Sequence, residues 1–203
     1  MTTTMEPRSG MQLTVAEFMD LDLPDPEDKR KLELDDGKLY IMPRPRIAHQ
    51  RTQGRLIQHF FNFLDTFDEI PFDVHPDVVV ALPSALPRLF APDLTVILRS
   101  NEAVVSERMI EGAPDIVVEI LSSDRRRDLV RKRQVYAEAG IAEYWIVDEL
   151  NRTVTPLELS GHEYVERGVL TDDDTLTTVL LPGLEIPLAD IFRERSRSQS
   201  GRG

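Results

Sequence analysis

Residues 116–121 read Ile-Val-Val-Glu-Ile-Leu, a run that is apolar everywhere except at Glu119. Strand side chains alternate between two faces, so a run apolar at both odd and even positions must be covered on both sides. That points to an α/β arrangement with a mostly buried sheet and a layer against each face. The exception needs a reason. An unpaired buried charge costs several kcal/mol or more by desolvation, so Glu119 must be protonated, ion-paired or bound to a cation.

The surrounding pattern supplies the layers. Thr14-Val-Ala-Glu17 is a capping box that opens a short helix to about Asp20, and Pro24 and Pro26 then force a loop. Residues 31–42 alternate around Asp36-Gly37, the strongest short hairpin signal, and Pro43 and Pro45 end them. Apolar residues at 56, 57, 60, 61, 64 and 67 put one face on a long helix over about 48–67. Strands are expected at Asp77–Leu82, Asp93–Leu98 and Asp115–Leu121, followed by a helix over Asp128–Ala139 that Gly140 stops and a strand at Glu143–Asp148. Strand, helix and strand in that order make a right-handed parallel crossover. Thr153–Leu159 and Glu163–Arg167 read as a closing hairpin.

A chain of 203 residues is enough for one substantial core. The absence of cysteine excludes disulfides, a thiolate zinc site and a cysteine nucleophile, and suits a cytoplasmic location. The polar N-terminus lacks a signal-peptide core, and no apolar stretch approaches the ~18 residues needed to span a membrane. Residues 1–11 and 193–203 are expected to be disordered. The net charge is −12, and residues 193–203 carry four arginines against one glutamate, a net of +3 that leaves the body at −15. That balance argues against a general nucleic-acid coat. Arg125 to Arg133, however, packs six basic residues into nine positions: Arg125, Arg126, Arg127, Arg131, Lys132 and Arg133. They can meet phosphate or form a solvated face.

Glu119 shares its strand face with Val117, Leu121 and Asp115, and Asp93 opens the strand before it. If the two strands pair, the carboxylates converge, and two oxygen ligands with open positions suit Mg²⁺. The bland alternatives are a water-facing Asp93 and an ion-paired Glu119. On the helix that follows, Leu129, Lys132, Tyr136 and Ala139 form one stripe, which makes Lys132 the charge aimed inward while Arg131 points elsewhere. It either assists chemistry or neutralises Glu119. By alternation Glu33 reads as solvent-facing, His49 as a helix-start residue, and Tyr136 and Trp145 as packing. No phosphate loop, dinucleotide-binding turn, nucleophile elbow or zinc-protease helix occurs, and His49, His59, His75 and His162 lack zinc-like spacing.

Pro92-Asp93 followed by Glu119-Ile120-Leu121 resembles the PD-(D/E)-x-K nuclease motif, with Leu121 at the lysine position. More specifically, Glu33-Leu-x-x-Gly37, His49-Gln50, Pro92-Asp93-Leu94, Ala113-Pro114-Asp115-x-Val-Val-Glu-Ile-Leu-Ser122 and Asp128-x3-Lys132-x3-Tyr136-x3-Gly140-x2-Glu143-Tyr-Trp-x-Val-Asp148 resemble the Uma-type putative restriction endonuclease domain. The resemblance covers about residues 12–192. It implies a restriction-endonuclease-like mixed central sheet flanked by helices, in which Asp93 and Glu119 bind Mg²⁺, with Mn²⁺ able to substitute. It also implies that the motif lysine has moved to the following helix as Lys132, where it assists the attacking water, and that Glu33 completes the site.

The reading that results is Mg²⁺-dependent phosphodiester hydrolysis by a DNA endonuclease, with Arg125, Arg126, Arg127, Arg131, Arg133 and His49 towards DNA phosphate. The alternatives are a non-catalytic nucleic-acid-binding or assembly module that keeps the fold, and a carboxylate-pair hydrolase on another substrate. A homodimer is the default for an enzyme that cuts both strands, although nothing in the sequence marks an interface.

Overall fold

A computed structural model of the chain describes residues 6–21, 30–122 and 124–193. The expectations for residues 1–5, for the loop at Pro24 and Pro26 and for residues 194–203 lie outside the described residues. The elements in chain order are α1 (Val15–Met19), β1 (Leu32–Asp35), β2 (Lys38–Ile41), α2 (Ile47–Leu64), β3 (Phe72–Pro76), β4 (Val80–Ala81), β5 (Leu89–Phe90), β6 (Leu94–Leu98), β7 (Val104–Val105), β8 (Ile110–Glu111) and β9 (Ile116–Ile120). A π-helical turn, Arg127–Lys132, leads into α3 (Arg133–Ala139), then β10 (Glu143–Asp148), β11 (Thr153–Ser160), β12 (Glu163–Glu166), β13 (Thr175–Thr177), β14 (Glu185–Pro187) and α4 (Leu188–Ile191).

Local chemistry explains several boundaries. The Thr14 hydroxyl accepts the Glu17 N–H at 3.2 Å while the Glu17 carboxylate accepts the Thr14 N–H at 2.8 Å, closing the box that starts α1. Asp36 and Gly37 have φ of 51° and 79°, the two positive angles a tight twisted hairpin turn requires. Gly140, with φ of 83°, takes the left-handed position that stops α3. Residues 9 and 10 are tied to the hairpin, since the Gly10 N–H donates to the Leu39 carbonyl and the Ile41 N–H to the Ser9 hydroxyl.

The main sheet has the order β12-β11-β10-β9-β6-β3 and is mixed: β9 and β10 run parallel, as the crossover requires, and the other pairs are antiparallel. Its two faces are covered by different helices. Ile116, Val118, Ile120, Trp145 and Val147 pack with Leu56 and Phe60 of α2, whereas Val117, Tyr144 and Ile146 pack with Val135 and Tyr136 of α3.

A second six-stranded sheet, β2-β1-β5-β4-β8-β7, was not expected. The strand foreseen at Asp77–Leu82 is reduced to β4 in this second sheet, and the partner of β6 in the main sheet is β3 instead. The chain passes between the sheets at Asp77, which has φ of 52°, at Ala91–Asp93, and at Gly112–Asp115, where Gly112 has φ of 120°. At that φ a side chain on Gly112 would be strained, and its Cβ would crowd the Ala103 Cα at 3.2 Å. One of these crossings carries Asp93 to the end of β6.

Candidate active site

The register of β6 on β9 pairs Leu94 with Val118 and Thr95 with Val117. Continued by one residue, it sets Asp93 opposite Glu119 on the same face. The two strands do pair, as their convergence requires, but the carboxylates meet at strand ends inside the sheet rather than at its edge. Both are buried. The Ile120 N–H donates to Asp93 Oδ2 at 2.6 Å, locking one carboxylate to the strand that carries the other.

Glu119 Oε1 accepts from Lys132 Nζ at 2.8 Å and from the Tyr136 hydroxyl at 2.6 Å. Tyr136 is thus a hydrogen-bond donor to the site as well as a packing residue. Oε2 accepts no hydrogen bond among the described residues. Lys132 is 3 % exposed and also stands 2.9 Å from Glu33 Oε1, an ion-pair contact outside hydrogen-bond alignment, and 3.7 Å from Asp128. One ammonium therefore faces three carboxylates.

The π-helical turn accounts for this placement. Its wider spacing turns Arg127, Asp128 and Lys132 inward together, and such turns are rare outside functional or strained sites. Leu129, expected in the apolar stripe, is instead 37 % exposed. The inner face at this end of the helix is charged.

Its partners come from β1. Glu33, which alternation makes solvent-facing, is 1 % exposed, and Lys31, Glu33 and Asp35 share one strand face while Leu34 faces the opposite core. Lys31, unremarked in the sequence, has its ammonium on Asp93 Oδ1 and 2.5 Å from Asp77 Oδ1. His49 Nε2 meets Asp93 Oδ1 at 3.0 Å, and Gln53, one helical turn on, donates to the Asp93 carbonyl at 2.9 Å and to Asp77 at 2.8 Å. The signal for Lys31 was the charged i, i+2, i+4 face of β1, which suits a buried ionic site as well as water.

Most of the basic run is paired with acids of the chain itself. Arg127 is 6 % exposed, bonded to Glu33 at 3.0 Å and to Asp35 at 3.4 Å, with its guanidinium 3.9 Å from the centre of the Tyr40 ring. Arg131 bridges Asp35 at 2.6 Å and Asp36 at 2.7 Å, and Arg133 bonds Glu166 and the Tyr164 carbonyl, both at 2.9 Å. Arg125 bonds Asp148 at 2.6 Å, and Arg126 is exposed. Arg127 and Arg131 of the basic run thus neutralise Glu33, Asp35 and Asp36 of the first hairpin.

Charge and burial divide the two carboxylates. Burial pushes Asp93 up, but the His49 hydrogen bond and the Lys31 charge outweigh it and hold its carboxyl at about 2. Burial pushes Glu119 up to about 7; Lys132 opposes this, while the negative charges of Asp93, Asp128 and Glu33 add to it. Burial lowers Lys132, but Glu119, Glu33 and Asp128 overcome it and raise the ammonium above its ordinary value. Glu33 is lowered despite burial, through the charges of Lys132 and Arg127.

These groups line a cavity of about 740 Å³ that includes Lys31, Glu33, His49, Asp93, Glu119 and Lys132. Among the described residues no cluster of three or more histidine, cysteine or acidic side chains converges on a metal position. The donor set is instead two adjacent carboxylates, one with an oxygen outside any hydrogen bond. That fits Mg²⁺, which keeps waters and takes one or two carboxylates plus substrate phosphate. The Lys31 ammonium on Asp93 shows that the position favours a cation.

Over residues 15–189 the chain matches the family described as Uma2, putative restriction endonuclease. Its fold is similar to a solved structure described as a putative nuclease belonging to DUF820 from Anabaena variabilis ATCC 29413, with a TM-score of 0.65 and 20% identity, covering 92% of this chain and 98% of that one. A comparison with curated proteins finds no match. No helix among the described residues is long and apolar enough to cross a membrane.

Proposed function

The chain belongs to the Uma2 family of putative restriction endonucleases, and from that premise we propose that it hydrolyses DNA phosphodiester bonds with Mg²⁺ or Mn²⁺ held by Asp93 and Glu119. The observation that carries this reading is the side-by-side placement of these carboxylates at the ends of β6 and β9, with Lys132 on Glu119. When bound, the cation would supply positive charge to the phosphate and acidify its own water.

The remaining chemistry belongs to the side chains. The Ile120 N–H and His49 fix Asp93, and Tyr136 fixes Glu119, so neither carboxylate has to reorganise as charge develops. Lys132 keeps its proton at neutral pH because three carboxylates outweigh its burial. It therefore acts as a fixed charge and Nζ–H donor towards the attacking water or the phosphate, and not as a base. Glu33, 2.9 Å from that ammonium, holds it as a second carboxylate beside Glu119.

The test is incubation of supercoiled and single-stranded DNA with the purified chain and its Glu119→Ala variant across Mg²⁺ and Mn²⁺. Cleavage by the native chain that the variant lacks supports the reading; equal cleavage, or none, removes it. One observation favours a second reading, a non-catalytic module: Lys31 and Lys132 already neutralise Asp93 and Glu119. Absence of any metal response would select it.

A further inference from the structure

The mouth of the cavity is basic on a chain whose net charge is −12. Arg46, Arg51, Arg55 and Arg193 line the same cavity as Asp93 and Glu119. Arg46 directly precedes α2, and Arg51 and Arg55 are one turn apart on it, separated by about 6 Å of helix rise. Arg46, Arg51 and Arg193 are exposed and pair with no carboxylate among the described residues, whereas Arg127, Arg131 and Arg133 all do. Arg55 is held by a hydrogen bond to the Ile191 carbonyl at 3.1 Å. Its pKa is lowered by burial and by the neighbouring charges of Arg51 and Arg193, so like charges crowd here. In a chain so rich in acids, Arg46, Arg51 and Arg193 have no acidic partner among the described residues, which favours an external polyanion passing over the buried carboxylates.

We propose that Arg46, Arg51, Arg55 and Arg193 form the track for the phosphate backbone of a nucleic acid, and that Arg126, Arg127, Arg131 and Arg133 do not. The spacing of Arg51 and Arg55 spans about two nucleotides at ~3.4 Å of axial rise each. Their contacts are to phosphate, so they set affinity and register without reading bases. This rests on the DNA-cleavage reading above.

The test is binding of a fluorescent duplex oligonucleotide to the full chain in chelator over a series of salt concentrations. Arg46→Gln with Arg51→Gln should lower the slope of log affinity against log salt by about 1.8, at ~0.9 per contact on duplex DNA. Arg126→Gln with Arg133→Gln should leave the slope as it is. The reverse pattern, or a slope moved by neither pair, overturns the track. If the native chain cleaves DNA in Mg²⁺ while the Arg46/Arg51 slope is unmoved, the track alone fails. If the native chain neither cleaves nor binds DNA, the functional reading fails and takes the track with it. Polyglutamate that competes as well as unlabelled duplex would make this a general anion surface and overturn the nucleic-acid assignment.

Discussion

Lys132 Nζ lies 2.8 Å from Glu119 Oε1 and 2.9 Å from Glu33 Oε1, so one ammonium joins β9 to the first hairpin. Asp128 adds a third acid at 3.7 Å. Removing the ammonium leaves these carboxylates buried without their cation. Lys132→Met should therefore destabilise the chain by about 3 to 5 kcal/mol in chemical denaturation. Turnover per folded molecule should also fall. A variant that keeps full activity per folded molecule would make Lys132 a purely structural counter-ion.

Glu119 titrates at about 7 in the fold against an ordinary 4.5. Between those values the folded chain holds a proton that the unfolded chain has released, so stability falls as pH rises from about 4.5 to about 7 and is level above. His49, also raised, adds a loss of the same sign above its ordinary 6.5, so the informative quantity is a difference between chains. In chelator, Glu119→Gln should flatten the Glu119 part of this decline and leave the chain at least as stable as the native one at pH 8. Parallel melting curves for the two chains across pH would contradict the placement of that proton.

Lys31 puts its ammonium on Asp93 and 2.5 Å from Asp77. A divalent ion that takes Asp93 has to displace that ammonium, so Lys31→Met should bind Mn²⁺ at least tenfold more tightly, about 1.4 kcal/mol, by calorimetry. Equal or weaker binding would show that Lys31 does not compete for the position.

Tyr136 donates to Glu119 at 2.6 Å from a fully buried ring packed edge-on to Phe90 and Tyr144. Tyr136→Phe keeps that packing and removes one hydrogen bond to a carboxylate, a loss of about 1.5 to 3 kcal/mol if Glu119 is charged. It should be smaller at pH 5, where Glu119 is protonated. A pH-independent loss would mean that the hydroxyl does not serve the charged form.

The features legible in the sequence were local or strictly periodic. The Asp36-Gly37 hairpin, the capping box at Thr14, the crossover through Gly140 and the inward Lys132 each follow from a few neighbouring residues. The second sheet was hidden because strands as short as Val80–Ala81 and Leu89–Phe90 carry no period. Alternation on β1 separated the two faces correctly but could not distinguish water from a buried ionic site, so alternation alone put Glu33 in water, whereas the family resemblance put it at the site, and Lys31 was overlooked. Leu129 left the apolar stripe because a π-helical turn shifts the helical phase. The pairing of Arg127 and Arg131 with Glu33, Asp35 and Asp36 joins residues more than ninety positions apart, a distance no sequence window spans.

The cation site at Asp93 and Glu119 is the claim on which the rest depends, and calorimetric titration of Mn²⁺ into the native chain, Asp93→Ala and Glu119→Ala tests it most directly. The account predicts saturable binding to the native chain that either substitution weakens at least tenfold, about 1.4 kcal/mol. Affinity equal in all three chains, or no saturable binding by the native chain, would contradict it.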